Sequence, residues 1–169
     1  LEESGQALRG YLVEGLGAAQ FSTPATIDRL RGHQDSDDLV GWPSGTKEPK
    51  VYVLAATDPA NPYGAALPWP EGGPTRSAGA LVVLIDGLPI AHLTRGGKTL
   101  TTFLESLPGG IDPAEVYPRL VGALTDMVAR GVLSPLVIEK CNGSPIHKTD
   151  TAAHLREAGA GITPKGVRI

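Results

Sequence analysis

Gly79–Phe103, GALVVLIDGLPIAHLTRGGKTLTTF, decides the fold. Ala80–Ile85 is an unbroken apolar run, the pattern of a strand covered on both faces. Asp86-Gly87 is a hairpin signal, because a tight primed turn needs positive φ at its central positions. Pro89–Thr94 returns as a second strand, Arg95-Gly96-Gly97-Lys98 turns again, and Thr99–Phe103 makes a third. Three neighbouring strands joined by tight turns form an antiparallel meander. In a chain this rich in glycine, the meander is expected to belong to a partly closed barrel.

Upstream, Val51–Ala55 is a short strand of β-branched and aromatic residues. Between it and the meander lies Ala55–Arg76, AATDPANPYGAALPWPEGGPTR, with prolines at 59, 62, 68, 70 and 74. It cannot be helix, and it is too proline-rich for a central strand. Leu67-Pro68-Trp69 is too apolar for an ordinary solvated loop. A stiff loop of this kind covers a core or forms a binding edge. His33–Lys50, with three aspartates around Trp42, reads as a mobile insert. Before it, Ser22 or Thr23 caps a short helix, Pro24–Arg31, that is expected to stop at Gly32. The glycines of Gly5–Gln20 favour short, bent strands.

Downstream, Asp112-Pro113 supplies a cap and a first-turn proline for a helix running to Arg130 and stopping at Gly131. Val116, Leu120, Val121, Leu124, Met127 and Val128 form its apolar stripe, whose plain role is core packing. Leu133–Lys140 reads as one strand, Asn142-Gly143 as a turn, Thr151–Ala158 as a last helix, and Gly161–Ile169 as a final strand. The fold class is therefore α+β: an antiparallel barrel-like module with two or three packed helices. Its divisions are residues 1–32, a loop at 33–49, and the module at 50–169.

At 169 residues the chain can bury a sizeable core. Its net charge of −3 announces no polyanion partner globally, but residues 140–169 carry five basic and two acidic side chains. A lone cysteine, Cys141, excludes an internal disulfide and fits a reducing, cytoplasmic setting. No apolar run approaches the ~20 residues of a membrane span. Opening on Leu1, the chain reads as a piece of a longer polypeptide.

His33, His92, His147 and His154 have no metal-ligand spacing, and no glycine-rich phosphate loop or serine-nucleophile motif is present. No cofactor or metal is expected in this segment. Asp58 is the carboxylate of interest, beside Asn61 and Tyr63. It could activate a water; equally, Asp58-Pro59 and Asn61-Pro62 are turns in which Asx side chains cap backbone amides. Arg95, Lys98, Lys140, Lys148, Lys165 and Arg168 are candidates for phosphate contacts. Trp42, Tyr63 and Trp69 could stack on bases, and Asn61 could meet a base edge. For each of these the plain alternative is a solvated surface charge or a packed ring.

Ala55–Pro70, Gly79–Gly97 and Gly15–Arg31 (GLGAAQFSTPATIDRLR), with Val137–Gly143 (VIEKCNG) and Ala158–Ile169 (AGAGITPKGVRI), resemble the C-terminal region of the large helicase-related family, Lhr. The resemblance implies a parent that is a DNA-dependent ATPase and 3′-to-5′ translocase of DNA repair, with ATP and Mg in an N-terminal motor. It also implies winged-helix modules before a barrel-like one, likeness to bacterial DNA glycosylases, and attributed uracil-DNA glycosylase activity. The expected partners are single-stranded or forked DNA, the rest of the helicase chain, and a second copy of the chain. This segment carries none of the motor's Walker motifs, and the glutamine-based glycosylase motif has no counterpart beyond the isolated Gln20. Three functions follow: a DNA-contacting module, part of a glycosylase site with Asp58 as its catalytic carboxylate, or an oligomerisation domain.

Overall fold

The computed structural model describes residues 5–13, 17–34, 49–70, 73–106 and 112–169. The chain divides into two units, Leu1–Pro43 and Ser44–Ile169.

In the first unit, β1 (Leu8–Gly10) pairs antiparallel with β2 (Gln20–Ser22), Arg9 opposite Phe21. The Gln20 side chain ties their connection, accepting from the Leu12 and Val13 amides. The helix α1 (Pro24–Gln34) follows, with the Thr23 hydroxyl accepting from the Thr26 amide. It does not stop at Gly32 as its sequence suggests. A glycine costs a helix about 1 kcal/mol but does not end it without a left-handed turn. Residues 33–34 of the expected mobile insert are thus helical, and 35–48, Trp42 included, lie outside the described residues.

The second unit is built on β3 (Val51–Ala55), β4 (Leu81–Ile85), β5 (Leu88–Leu93) and β6 (Thr99–Thr102). Their turns are the expected ones: Asp86 and Gly87 both have positive φ, 47° and 85°. The helix α2 (Pro113–Ala129) comes next. Asp112 accepts from the Ala114 amide, and Gly131, at φ 72°, follows the last turn. Val116, Tyr117, Leu120, Val121 and Leu124 are its buried residues, each worth about 1.5–3 kcal/mol before ordering entropy.

Beyond α2 the chain departs from its sequence reading. Leu133–Lys140 is not one strand but β7 (Val137–Ile138) and β8 (Lys140–Cys141), divided at Glu139. The Glu139 and Lys140 amides both donate to the Lys98 carbonyl, so the chain changes sheets at that residue. β9 (Ser144–Pro145), a 3-10 turn at Ile146–Lys148, and α3 (Asp150–Glu157) follow. The expected last strand is instead a hairpin of β10 (Gly161–Thr163) and β11 (Gly166–Arg168), closed by Thr163, whose hydroxyl bonds both the amide and the carbonyl of Gly166.

The main sheet has the order β3-β4-β5-β6-β8-β9, antiparallel except for β6 beside β8; a smaller sheet has the order β10-β11-β7. Among the described residues the barrel expected from the meander is not found. β3 and β9 remain at opposite edges, and β8 and β9, two residues each, are too short to wrap the sheet round. The architecture is an open α+β arrangement. α2 lies along β3 and α3. Ala56, Ala80, Val82 and Leu84, with Leu54, Tyr63 and Trp69, form a core cluster beneath the proline loop. Val83 and Ile85, which alternation turns to the opposite face, are fully buried too.

Candidate functional site

The proline loop is held from within. Asn61 is 1% exposed; its amide donates to the Ala56 carbonyl (2.9 Å) and its oxygen accepts from the Tyr63 amide (3.1 Å). Asp58 accepts from the Ala60 amide at 2.8 Å, an Asx turn, while remaining partly exposed. Arg76, which the sequence reading passed over, reaches back to the loop's start. Its Nε donates to the Ala56 carbonyl (2.9 Å) and its Nη2 to the Asp58 carbonyl (3.0 Å). The Tyr63 hydroxyl donates to the Gly87 carbonyl at 3.0 Å, and burial pushes that phenol's pKa up.

Trp69 is the loop's anchor. Its ring stacks on Phe103 (centroids 5.3 Å apart, 15°) and on Tyr63 (5.7 Å, 26°), and meets His92 edge-on at 6.0 Å. Glycines admit it: a Cβ on Gly64 would stand 2.6 Å from Trp69 Nε1, and one on Gly73 2.0 Å from its Cγ. The Trp69 ring is thus engaged by Tyr63 and Phe103 of its own protein, and the Asn61 amide is spent on the loop's own backbone.

His92 is 3% exposed, and its Nε2, like Trp69 Nε1, is buried without a hydrogen-bond partner among the described residues. Burial lowers its pKa, because a charged imidazole there would lose hydration. The unfolded chain therefore binds this proton more readily than the folded one. Stability from neutral His92 is full above the ordinary value near 6.5 and is lost as pH falls toward the lowered folded value. Melting temperature measured from pH 8 to pH 5 should fall more steeply in the wild type than in His92→Leu. Parallel profiles would mean that His92 carries none of the acid sensitivity.

The register sets Ala55 opposite Leu81, Leu81 opposite Leu93, Leu93 opposite Leu100, and Thr99 opposite Lys140. These pairs mark one end of the main sheet, and the predicted cations gather there. Arg95 and Lys98 stand in the β5–β6 turn, and Lys140 opens β8. β11 sets Arg168 opposite Val137 and packs Gly166 against Ile138 and Glu139, bringing Lys165 to the same segment. The Ile146 amide donates to the Glu139 carbonyl, returning the turn that holds Lys148 to this end. All six cations are exposed, and among the described residues one is paired: Lys98 lies 3.3 Å from Glu139, a solvated contact worth about 0–1 kcal/mol. Asp58 leaves β3 at this same end.

Elsewhere, the Tyr117 hydroxyl and the Cys141 thiol both donate to the Thr151 hydroxyl, and burial raises the pKa of each. A groove of about 340 Å³ lies between Tyr52, Leu54, Ala60, Pro62, Leu84 and Gly87 and is almost wholly apolar. Among the described residues, no group of three or more His, Cys, Asp or Glu could hold a metal, and no helix is long and apolar enough to cross a membrane.

Residues 1–41 match the winged-helix domain of the large helicase-related protein. Over 99% of its length the chain is 42% identical to a Mycolicibacterium smegmatis protein named "Lhr helicase/ probable uracil glycosylase", of which it covers 11%. It is 37% identical, again over 99% of its length, to the Escherichia coli "Lhr helicase/uracil glycosylase", of which it covers 10%. The chain thus spans about a tenth of the length of the curated relatives it matches. These matches define the class, an α+β segment homologous to part of much longer helicase chains. The chain belongs to the large helicase-related (Lhr) family.

Proposed function

We propose that the chain is a C-terminal, DNA-contacting module of an Lhr-type ATP-dependent 3′–5′ helicase of DNA repair. It holds single-stranded or forked DNA for a cytoplasmic motor that lies elsewhere in the polypeptide and uses ATP and Mg. The observation that supports this reading is the gathering of Arg95, Lys98, Lys140, Lys148, Lys165 and Arg168 at one sheet end of a chain whose net charge is −3. Long cationic side chains at strand ends suit phosphate, which needs charge and reach more than a fixed pocket. Binding to a labelled oligonucleotide, followed by anisotropy across a salt series, is expected to weaken steadily as salt rises. Binding that ignores salt, or no binding, would reject the reading and leave oligomerisation or docking as the module's work.

A second reading is supported by the names of the two relatives and by the partly exposed carboxylate of Asp58. In it, Asp58 activates a water, or steadies the developing positive charge on a sugar, as an extruded base is released. Asp58→Asn is a clean probe, because an Asn oxygen can still accept from the Ala60 amide. Loss of uracil release with an unchanged melting temperature would support catalysis by Asp58. Unchanged release would remove this residue from the chemistry.

A further inference from the structure

The basic sheet end has a direction, and Arg76 gives it. Arg76 stands where β3 runs out, its guanidinium fixed on the carbonyls of Ala56 and Asp58. Among the described residues it has no carboxylate partner. Next along the sheet, Arg95 lies across Gly79, where a Cβ would come 3.0 Å from Arg95 Cγ. Lys98 follows at the start of β6, and Lys140 opens β8. The row therefore crosses the strand ends in sheet order, β3, β4 and β5, β6, β8. Four strand spacings make it about 19 Å long. The opposite end of the sheet is different. There Lys50 lies beside Asp86, whose carboxylate accepts from the Lys50 amide, and Asn142 is spent on Thr102.

We propose that this row, Lys140, Lys98, Arg95 and Arg76, is a track for the phosphodiester backbone of one nucleic-acid strand, laid across the strand ends and leading to the proline loop at Asp58. The proposal rests on the DNA-contacting reading and deepens it: it fixes the strand's course and adds Arg76 as a contact. Arg76 suits the end of such a track. Two of its nitrogens are committed to carbonyls, so the guanidinium is already ordered and loses little side-chain entropy on meeting a phosphate. Trp69 and Asn61 are turned inward, so the track binds through charge rather than base identity.

The test uses the whole chain and a fluorescent oligothymidylate of about 20 nucleotides. Each phosphate contact on a single strand contributes about 0.7 to the slope of log K against log salt, so losing one weakens binding about fivefold at 0.1 M salt. Arg76→Gln, Arg95→Gln and Lys140→Gln are each expected to lose about fivefold and to flatten the slope by about 0.7. Lys50→Gln, the same charge change at the other sheet end, is expected to stay within about twofold. Arg76→Lys separates charge from bracing: it should keep most of the binding while lowering the melting temperature, because a lysine cannot span both carbonyls. Wild-type binding that is salt-dependent and unmoved by the three row substitutions would sink the track and spare the DNA-contacting reading. Equal losses from Lys50→Gln would show diffuse attraction and sink it as well. Absence of wild-type binding would sink both.

Discussion

Trp69→Ala is expected to destabilise residues 49–169 by about 3 kcal/mol and to expose the proline loop to proteolysis. Truncating a large aromatic in a packed site costs about 3–5 kcal/mol, and here two stacked partners, Tyr63 and Phe103, would lose their neighbour together. The estimate sits at the lower end because Trp69 Nε1 is buried without an acceptor among the described residues, so removing it also removes an unsatisfied donor. The same reasoning separates ring from nitrogen. Trp69→Phe keeps a face between Tyr63 and Phe103 and drops the orphaned N–H, so it should lose less than half as much as Trp69→Ala. Urea denaturation with matched slopes measures both. A Trp69→Ala cost under about 1 kcal/mol would mean that the loop is held by Arg76 and Asn61 rather than by the ring. Because the ring is engaged by Tyr63 and Phe103, Trp69→Phe should also leave oligonucleotide binding unchanged.

The elements that could be read from sequence are those whose cause is local. Asp86-Gly87 and Asn142-Gly143 are turns because an Asx-Gly pair accepts positive φ at both positions, and all four residues have it. Asp112-Pro113 starts α2 because a carboxylate meets an unpaired helix amide and proline has no amide to lose. What could not be read depends on partners remote in sequence. Nothing near Glu139 signals a change of sheet; the cause is the Lys98 carbonyl, some forty positions away, which takes two successive amides. Gly161–Ile169 has the composition of one strand, and its folding into a hairpin turns on the Thr163 hydroxyl meeting Gly166. The barrel failed for a related reason, since the strands after α2 are divided between two sheets.

The candidate site divides the same way. Cationic residues could be named one by one, but their gathering at one sheet end follows from register, which the sequence does not display. Asn61 stands out in the sequence for its polarity, and that polarity is used inward on Ala56 and Tyr63. Arg76 lies in the tail of a proline-rich loop, with no motif around it. A signal was present all the same: an arginine after a long stiff loop that has few side chains able to satisfy its own carbonyls.

Gly166→Ala is expected to detach β11 from β7 and to cost about 3 kcal/mol, a large effect for one added methyl group. A Cβ at this position would lie 2.1 Å from the Ile138 carbonyl oxygen, 2.8 Å from its carbon, and 3.2 Å from Glu139 Cα. Every one of those atoms is backbone, so no side-chain rotation relieves the clash; one strand must move. Movement there separates Val167 from Ile138, both fully buried, and the Ile169 carbonyl from the Leu136 amide. It also displaces Lys165 and Arg168 from the sheet end, so oligonucleotide affinity should fall along with stability. Gly122→Ala in α2 is the matched control. Nothing among the described residues lies within 4 Å of its added Cβ, and a helix gains roughly 0.5–1 kcal/mol from that exchange. The same chemical change should thus lower the unfolding free energy at one site and raise it at the other. A Gly166→Ala protein as stable as the wild type would mean that β11 does not pack on Ile138 in solution, and the basic end would then lose its support for Lys165 and Arg168.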